Sequence, residues 1–346
     1  MGSIFKYSGL TTKVRAMRAG FFDNEEYMRM AQMRSVGEVV DQLKKSKGYG
    51  EIFKGIDATD IHRGHLEMLL LCAKYRDYEK LYHFANVEQR KHMKLHFLDY
   101  EVEILKRAIV KAISGYDVGI IDGFQRILGK YSSIDIKAIC EATDINGIIE
   151  ATRDTMFYDT LMMVSGIEEP TEFDYRLALD LFFFGYVWKK RTKLFKGSEL
   201  KHMSMNIGTE ADTLNILWIH RAKKFYELTD EQVYAMIIPV YFRLKKDTIK
   251  RMVKSEDEGV FLDILAETYY GKYLDRQSFA SGNAGLILEQ YMVKCNQKYF
   301  KQDPYSFAAV NAYLKDKEAE IKKLITLVEC VRYQYPLSEI VRQIQG

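Results

Sequence analysis

The sequence predicts an all-α protein. Three observations carry that reading. Only 4 prolines occur in 346 residues, which leaves long helices uninterrupted. Alternating apolar and polar runs closed by Asn-Gly or Asp-Gly turns are nearly absent. Apolar residues recur at helical spacing most clearly near the C-terminus, where Leu314, Ile321, Leu324, Ile325 and Val328 form one stripe.

Composition narrows the class further. With 47% hydrophobic and 29% charged residues the chain has ordinary globular composition and ample material for a core. Lys and Arg total 51 against 48 Asp and Glu, a net charge of +3, so no nucleic-acid partner is expected and any basic surface is local. Cys72, Cys140, Cys295 and Cys330 are isolated in sequence; neither a disulfide framework nor a zinc knuckle is indicated, and a reducing compartment fits.

Taken in order, the N-terminal "MGSIFKYSGLTTKVRAMRAGFF" lacks a continuous apolar segment and is not expected to be a secretory signal. Its "KVRAMR" carries Lys13, Arg15 and Arg18, and two further basic clusters follow at 187–196 and 241–254. Each is interleaved with apolar residues and reads as an amphipathic face with snorkelling cations, or as a contact for an acidic partner or lipid headgroups. Five of the seven histidines lie between 62 and 96, and Glu88, His92 and His96 fall at i, i+4, i+8. These read as a solvated, mixed-charge helix face. The competing reading is a divalent-metal site in a helical enzyme, since an i, i+4 histidine pair is a workable ligand set; the H-E-x-x-H that would add a general base is missing. The stretches "IIDGF" at 120–124 and "DING" at 144–147 sit between helical patterns. The most apolar run, "LALDLFFFGYVW" at 177–188, spans about half a bilayer and contains Asp180, so a buried helix is expected there. No phosphate-binding glycine loop, no G-x-S-x-G elbow around Ser198 and no pair of Glu-x-x-His motifs occurs, and no cofactor is expected. The 24 tyrosines and 19 phenylalanines are expected in the core.

The stretch "EADTLNILWIHRAK" at 210–223 poses the central question: an active-site helix, or a recurring structural part? Self-comparison favours the second. "YEVEILKRAIVKAI" from Tyr100, "TEADTLNILWIHRA" from Thr209 and "KEAEIKKLITLVEC" from Lys317 align Glu101 with Glu210 and Glu318, and Glu103 with Asp212 and Glu320. A second motif keeps step, ending at Tyr49, Tyr158 and Tyr270 with Ser46, Thr155 or Thr268 just before. Two motifs recurring in order point to three copies of a helical unit of about 110 residues, within one domain over 1–346 divided near 1–115, 116–225 and 226–346. Positions that recur once per unit are read first as scaffold. The acidic residues are expected near helix N-termini, where a carboxylate is favoured by roughly 0.3–1 kcal/mol.

These motifs together resemble the central-stalk C subunit of V/A-type ATPases and ATP synthases, homologous to the d subunit of eukaryotic V-ATPases. The resemblance runs through "KVRAMRAGFFDNEEYMRM", "SVGEVVDQLKKSKGYGEIF", "FLDYEVEILKRAIVKAISG", "EADTLNILWIHRAKKFYELTDEQV" and "PYSFAAVNAYLKDKEAEIKKLITLVECVRYQYPLSEI". It implies a quasi-threefold helical funnel, without catalysis or cofactor of its own, that joins the D and F shaft subunits to the membrane proteolipid (c/K) ring. Such a part passes torque for coupled proton or sodium-ion transport. It would sit peripherally on the cytoplasmic face, beside the other V/A-type subunits, touching the membrane only through the ring. The family's Arg-x-Lys pair is kept as Arg221 and Lys223, the best candidates for a partner contact; the first unit has Ala112 and Ser114 there and the third Glu329 and Val331. A helical-repeat adaptor of some other complex is the alternative function.

Overall fold

The structure is a computed structural model that describes residues 2–58, 61–115, 129–226, 228–280 and 282–345. Among these residues there is no strand, as the sequence predicts. Seven long helices set the architecture: α1 (Gly2–Arg18), α2 (Arg63–Phe84), α3 (Val87–Ser114), α4 (Glu172–Leu194), α5 (Gly197–Phe225), α6 (Ala284–Gln302) and α7 (Ala308–Arg332). Short connections join α2 to α3, α4 to α5 and α6 to α7, so each pair is a helical hairpin.

Short helices precede each hairpin. They are Asn24–Ala31, Val36–Lys45 and Gly50–Phe53 before the first, and Ile136–Glu141, Ile145–Ala151 and Tyr158–Ser165 before the second. Lys246–Val253, Glu258–Ala266 and the 3₁₀ turn Tyr269–Lys272 come before the third, with Asp230–Ala235 and Arg276–Ala280 flanking them. Leu337–Gln345 follows the last hairpin. Between hairpins, α4 packs along α3, α6 along α5, and α2 along α7. That last contact brings the first hairpin against the last.

Local chemistry explains where the helices begin. Reciprocal capping boxes start α3 at Asn86 with Gln89 and α4 at Thr171 with Asp174, each satisfying two otherwise unpaired backbone donors. Gly115, at φ +68°, ends α3 in the left-handed conformation that glycine adopts without a Cβ penalty. "DING" is a helix start rather than a turn: the Asp144 carboxylate accepts from the Gly147 N–H at 2.8 Å and caps Ile145–Ala151. "IIDGF" at 120–124, and the unit boundary drawn at 116, lie outside the described residues.

The core takes up many of the aromatics but not all, since Phe5, Phe84, Phe173, Tyr241 and Tyr273 are exposed, as are Phe225, Tyr226, Tyr333 and Tyr335 at helix ends. Tyr7, Tyr49, Tyr75, Tyr78, Tyr100, Tyr175, Tyr270 and Tyr313 are all fully buried, as are Phe53, Phe97, Phe157 and Phe195. The α7 stripe is inward too, with Leu314, Ile321, Leu324 and Val328 buried and Ile325 packed against them. The run at 177–188 lies in α4 but buries only Leu179, Phe184 and Val187; its other residues stay half-buried, because α4 leans on its neighbours with one face. No helix among the described residues is long and apolar enough to cross a membrane.

Candidate functional site

The acidic residues stand in mid-helix, not at helix N-termini: Glu101 lies within α3, Glu210 within α5 and Glu318 within α7. The helices extend well before them because apolar residues keep their spacing upstream, as with Met203 and Ile207 in α5 and Leu95 and Leu98 in α3. Their chemistry is to hold other segments rather than to cap their own helix.

Three carboxylates bind loops from elsewhere in the chain. Asp212 in α5 is fully buried and accepts the backbone N–H groups of Arg243 and Leu244 at 2.8 and 3.1 Å, and more distantly that of Phe242 at 3.4 Å. Glu320 in α7 accepts the Phe22 N–H at 2.8 Å and the Lys317 ammonium at 3.0 Å. Glu101 in α3 accepts the Ser132 and Ser133 hydroxyls at 2.9 and 3.1 Å, together with the Ser133 N–H. In each case a buried carboxylate satisfies donors on the loop that leads into a short helix, so neither partner is left without a hydrogen bond. Burial still pushes Asp212 up to about 6 and raises Glu101, against the hydrogen bonds that oppose it.

Two tyrosines close this arrangement. The Tyr49 hydroxyl donates to Glu320 at 2.6 Å and the Tyr270 hydroxyl to Asp212 at 2.9 Å. Tyr158 does not join them; it is half-buried, and the buried ring in its neighbourhood is Phe157. Hydroxyl contacts fix the register. Thr268 accepts from the Tyr270 N–H at 3.1 Å and Thr155 from the Phe157 N–H at 3.2 Å, and each threonine donates back to a carbonyl three residues earlier. Phe157 has no hydroxyl to give. Glu103 is correspondingly elsewhere: it lies 3.3 Å from the Lys106 ammonium, which also holds Asp180 at 2.5 Å.

A second set of carboxylates converges on one lysine. Lys315 in α7 reaches Glu210 in α5 at 3.0 Å and Glu318 at 3.3 Å. Asp99 of α3 faces the same group, and burial pushes it up to about 7. Lys74 of α2 approaches Glu318 at 3.2 Å. Burial alone would raise Glu318, but the Lys315 and Lys74 ammoniums overcome it and hold that carboxyl at about 2. Lys315, Glu318 and Glu210 remain 19%, 21% and 32% exposed. They line a recess of about 210 Å³ that Leu217, Leu288 and Lys322 also border. The first copy of the motif thus runs Asp99 and Glu101, two residues earlier than the sequence alignment placed it.

The histidine face is not solvated. His92 is buried against the Phe195 ring, its Nε2 3.2 Å from the Leu194 carbonyl oxygen, and the His96 Nε2 meets the Asn311 amide oxygen. α3 carries them inward onto α7 and the α4–α5 turn, leaving only Glu88 in solvent with Lys91 at 2.9 Å. Burial lowers His92 and brings His96 down to about 4. Among the described residues no group of His, Cys, Asp and Glu is arranged to hold a metal ion.

The basic candidates divide into engaged and free-standing. Lys223 donates to the Ser255 carbonyl at 2.5 Å and lies 3.4 Å from Asp230. Arg18 pairs with Asp316 and sits over the Phe300 ring at 5.1 Å. Lys13 lies over the Phe84 ring at 4.9 Å, and the exposed Arg15 over that of Tyr305 at 5.9 Å. Arg221 is exposed, one turn before the exposed Phe225 and Tyr226.

The class defined by this fold is a helical scaffold of hairpins whose buried carboxylates tie successive segments to one another. The model of the ATP synthase (C/AC39) subunit family matches residues 10–343, and the chain belongs to that family. Among its relatives, the C subunit of the A-type ATP synthase of Methanosphaera stadtmanae is 21% identical over 97% of this chain and 87% of its own length. That of Pyrococcus furiosus is 22% identical over 94% and 86%. Its counterpart in Pyrococcus abyssi reaches 33% identity over a shorter stretch, 39% of this chain and 38% of that one. The protein is thus related throughout its length to a subunit of a rotary ATP synthase.

Proposed function

We propose that this chain is the non-catalytic rotor coupler of a V/A-type ATPase or ATP synthase. In this reading it joins the D and F shaft subunits to the proteolipid ring and passes torque between nucleotide chemistry and proton or sodium-ion movement. Three similar helical units close around an axis as a funnel on the cytoplasmic face. The observation that carries the reading is the convergence of α3, α5 and α7 on Lys315, which Glu210 and Glu318 meet directly and Asp99 faces, beside a recess lined by α5, α6 and α7. Three long helices converging in this way give a socket whose floor is polar and whose walls are tied together by Tyr49, Tyr270 and the loop-holding carboxylates.

A coupler that must not slip needs an interface of at least about 1,000 Å² with complementary charge. The ends of α3, α5 and α7 supply apolar material for one: Ile113, Phe225 and Tyr226, and Tyr333 and Tyr335 are all exposed. Arg221 stands beside the α5 group, while Lys223 is committed within the chain, so Arg221 is the sharper test of a contact.

The deciding experiment is gentle purification of the tagged protein from detergent-solubilised membranes of its own cell, with the co-purifying chains identified by mass. Recovery of a small proteolipid with shaft and headpiece subunits is expected. Recovery alone, or with unrelated chains, from an extract holding an intact motor would overturn the coupler reading. Arg221→Glu is expected to lower that recovery without altering the fold.

A further inference from the structure

A pocket of about 380 Å³ lies between α6 and the segment 242–273. Its walls include Tyr269, Tyr273 and Tyr291, and three cations border it: Arg243, Lys294 and Lys298. Among the described residues no carboxylate lines it. The volume falls within the range of small-molecule sites.

The Arg243 guanidinium is held in place but not neutralised. Its Cζ lies 3.6 Å from the centre of the Tyr269 ring, whose hydroxyl is also a hydrogen-bond partner, its Nη1 donates to the Tyr291 hydroxyl at 2.9 Å, and its Nη2 lies 3.5 Å from the thioether sulfur of Met205. Among the described residues it forms no ion pair, and neither do Lys294 and Lys298. Holding a half-buried cation without a counter-charge costs free energy, and a guanidinium has five donors to satisfy.

The scaffold does not ask for this charge. What the fold uses at Arg243 is its backbone N–H, which Asp212 accepts. In the first hairpin's loop the same service to Glu320 comes from Phe22, whose side chain is an apolar ring stacked on Tyr49 at 5.7 Å. An aromatic ring therefore suffices for the structural role, and the guanidinium at 243 is surplus to it. Lys294 and Lys298, at i and i+4 on α6, stand on one side of that helix and add two exposed charges at the rim.

We propose that this pocket binds a phosphate group, either as free inorganic phosphate or as the phosphate of a nucleotide. A planar fork with unspent donors, two ammoniums and tyrosine hydroxyls suits a multiply charged oxyanion. The site stands independently of the coupler reading, because its residues lie on α5, α6 and the 242–273 segment and none of its observations uses the carboxylates around Lys315.

Cys295 lines the pocket and reports on it. In the full-length protein, the rate of thiol alkylation at Cys295 would be followed by peptide mass, with the half-buried Cys140 as internal control, while inorganic phosphate or ADP is added at millimolar concentration. The expected result is slowing of about fivefold or more at Cys295 only, as site occupancy rises with ligand concentration. Protection by phosphate itself identifies the free ion as sufficient, and protection by ADP alone assigns the nucleotide as the source; both support the site. Arg243→Gln is expected to remove the protection, and Lys294→Gln with Lys298→Gln, at exposed positions that leave the fold intact, to weaken it. No protection by either compound, or equal protection in the variants, would overturn the proposal.

Discussion

The Tyr49 hydroxyl and the Glu320 carboxylate meet at 2.6 Å in the interior, joining the short helices ahead of the first hairpin to the last long helix of the chain. Lys317 reinforces the pair, its ammonium 3.0 Å from Glu320 and 3.6 Å from the centre of the Tyr49 ring. Removing the hydroxyl leaves the ring packing intact and the carboxylate one partner short. Tyr49→Phe is expected to destabilise the protein by about 2 kcal/mol, the usual scale for a buried hydrogen bond to a charged group. An unchanged urea midpoint would show that Phe22 and Lys317 hold Glu320 without it.

Asp212 makes stability depend on pH. Its folded-state carboxyl sits at about 6, above the value near 3.9 of an unfolded chain. The folded state therefore binds the proton more tightly, and this residue's contribution to stability falls as pH rises from about 4 to about 6. Asp212→Asn keeps an acceptor for the loop N–H groups and removes the titration. Relative to the variant, the wild type is expected to lose about 2 kcal/mol across that window, read from urea unfolding at several pH values. Parallel curves for the two proteins would refute the assignment.

Gly208 lies one turn before Asp212, where the 242–244 loop crosses α5. A Cβ there would stand 2.5 Å from the Phe242 Cβ. Gly208→Ala is expected to push the loop away from Asp212 and to cost about 1–3 kcal/mol through overpacking. A lower thermal midpoint, with the helical circular dichroism retained at low temperature, is the signature to measure.

Lys315→Met would leave Asp99, Glu210 and Glu318 facing one another without their shared cation. Because the lysine and its two carboxylate partners are between 19% and 32% exposed, water screens part of the repulsion and the expected cost is about 1–3 kcal/mol rather than the larger penalty of a dry site. Glu318, held at about 2 in the folded protein, contributes stability above the unfolded carboxylate range that is lost as pH falls towards 2. The gap between wild type and variant is therefore expected to narrow below about pH 4. A gap independent of pH would point to lost packing instead.

The helical class was legible in the sequence because it rests on features that need no partner: few prolines, helical apolar spacing and the absence of strand punctuation. The acidic motif was legible in kind but not in register. Acids at 99, 101 and 103 alternate, so an acid-x-acid pair fits the first unit in two ways, and matching like residues selected Glu101 with Glu103 where the contacts select Asp99 with Glu101. The tyrosine motif failed at its second copy for a similar reason. Tyr158 is adjacent to Phe157, and identity of residue type outweighed spacing; Thr155 two residues before Phe157, like Thr268 two before Tyr270, was the signal available. The histidines misled because which face of α3 meets α7 is a tertiary fact. The pocket around Arg243 was legible only in part: Arg243 lies in the basic cluster at 241–254, but Lys294 and Lys298 belong to a separate segment and become its neighbours only when α6 docks.

The meeting of α2 with α7 has a consequence for how the chain is made. Thr11 donates to the Pro304 carbonyl at 2.7 Å and the Tyr313 hydroxyl to Asp77 at 2.6 Å, so early residues wait for partners that emerge last. At roughly 5–20 residues per second on the ribosome, the flank of the first hairpin stays uncovered for on the order of ten seconds or more after it appears. Until Glu320 arrives, Tyr49 has the Phe22 ring for cover but no carboxylate to meet its hydroxyl, so the last stretch to be translated completes the interior of the first.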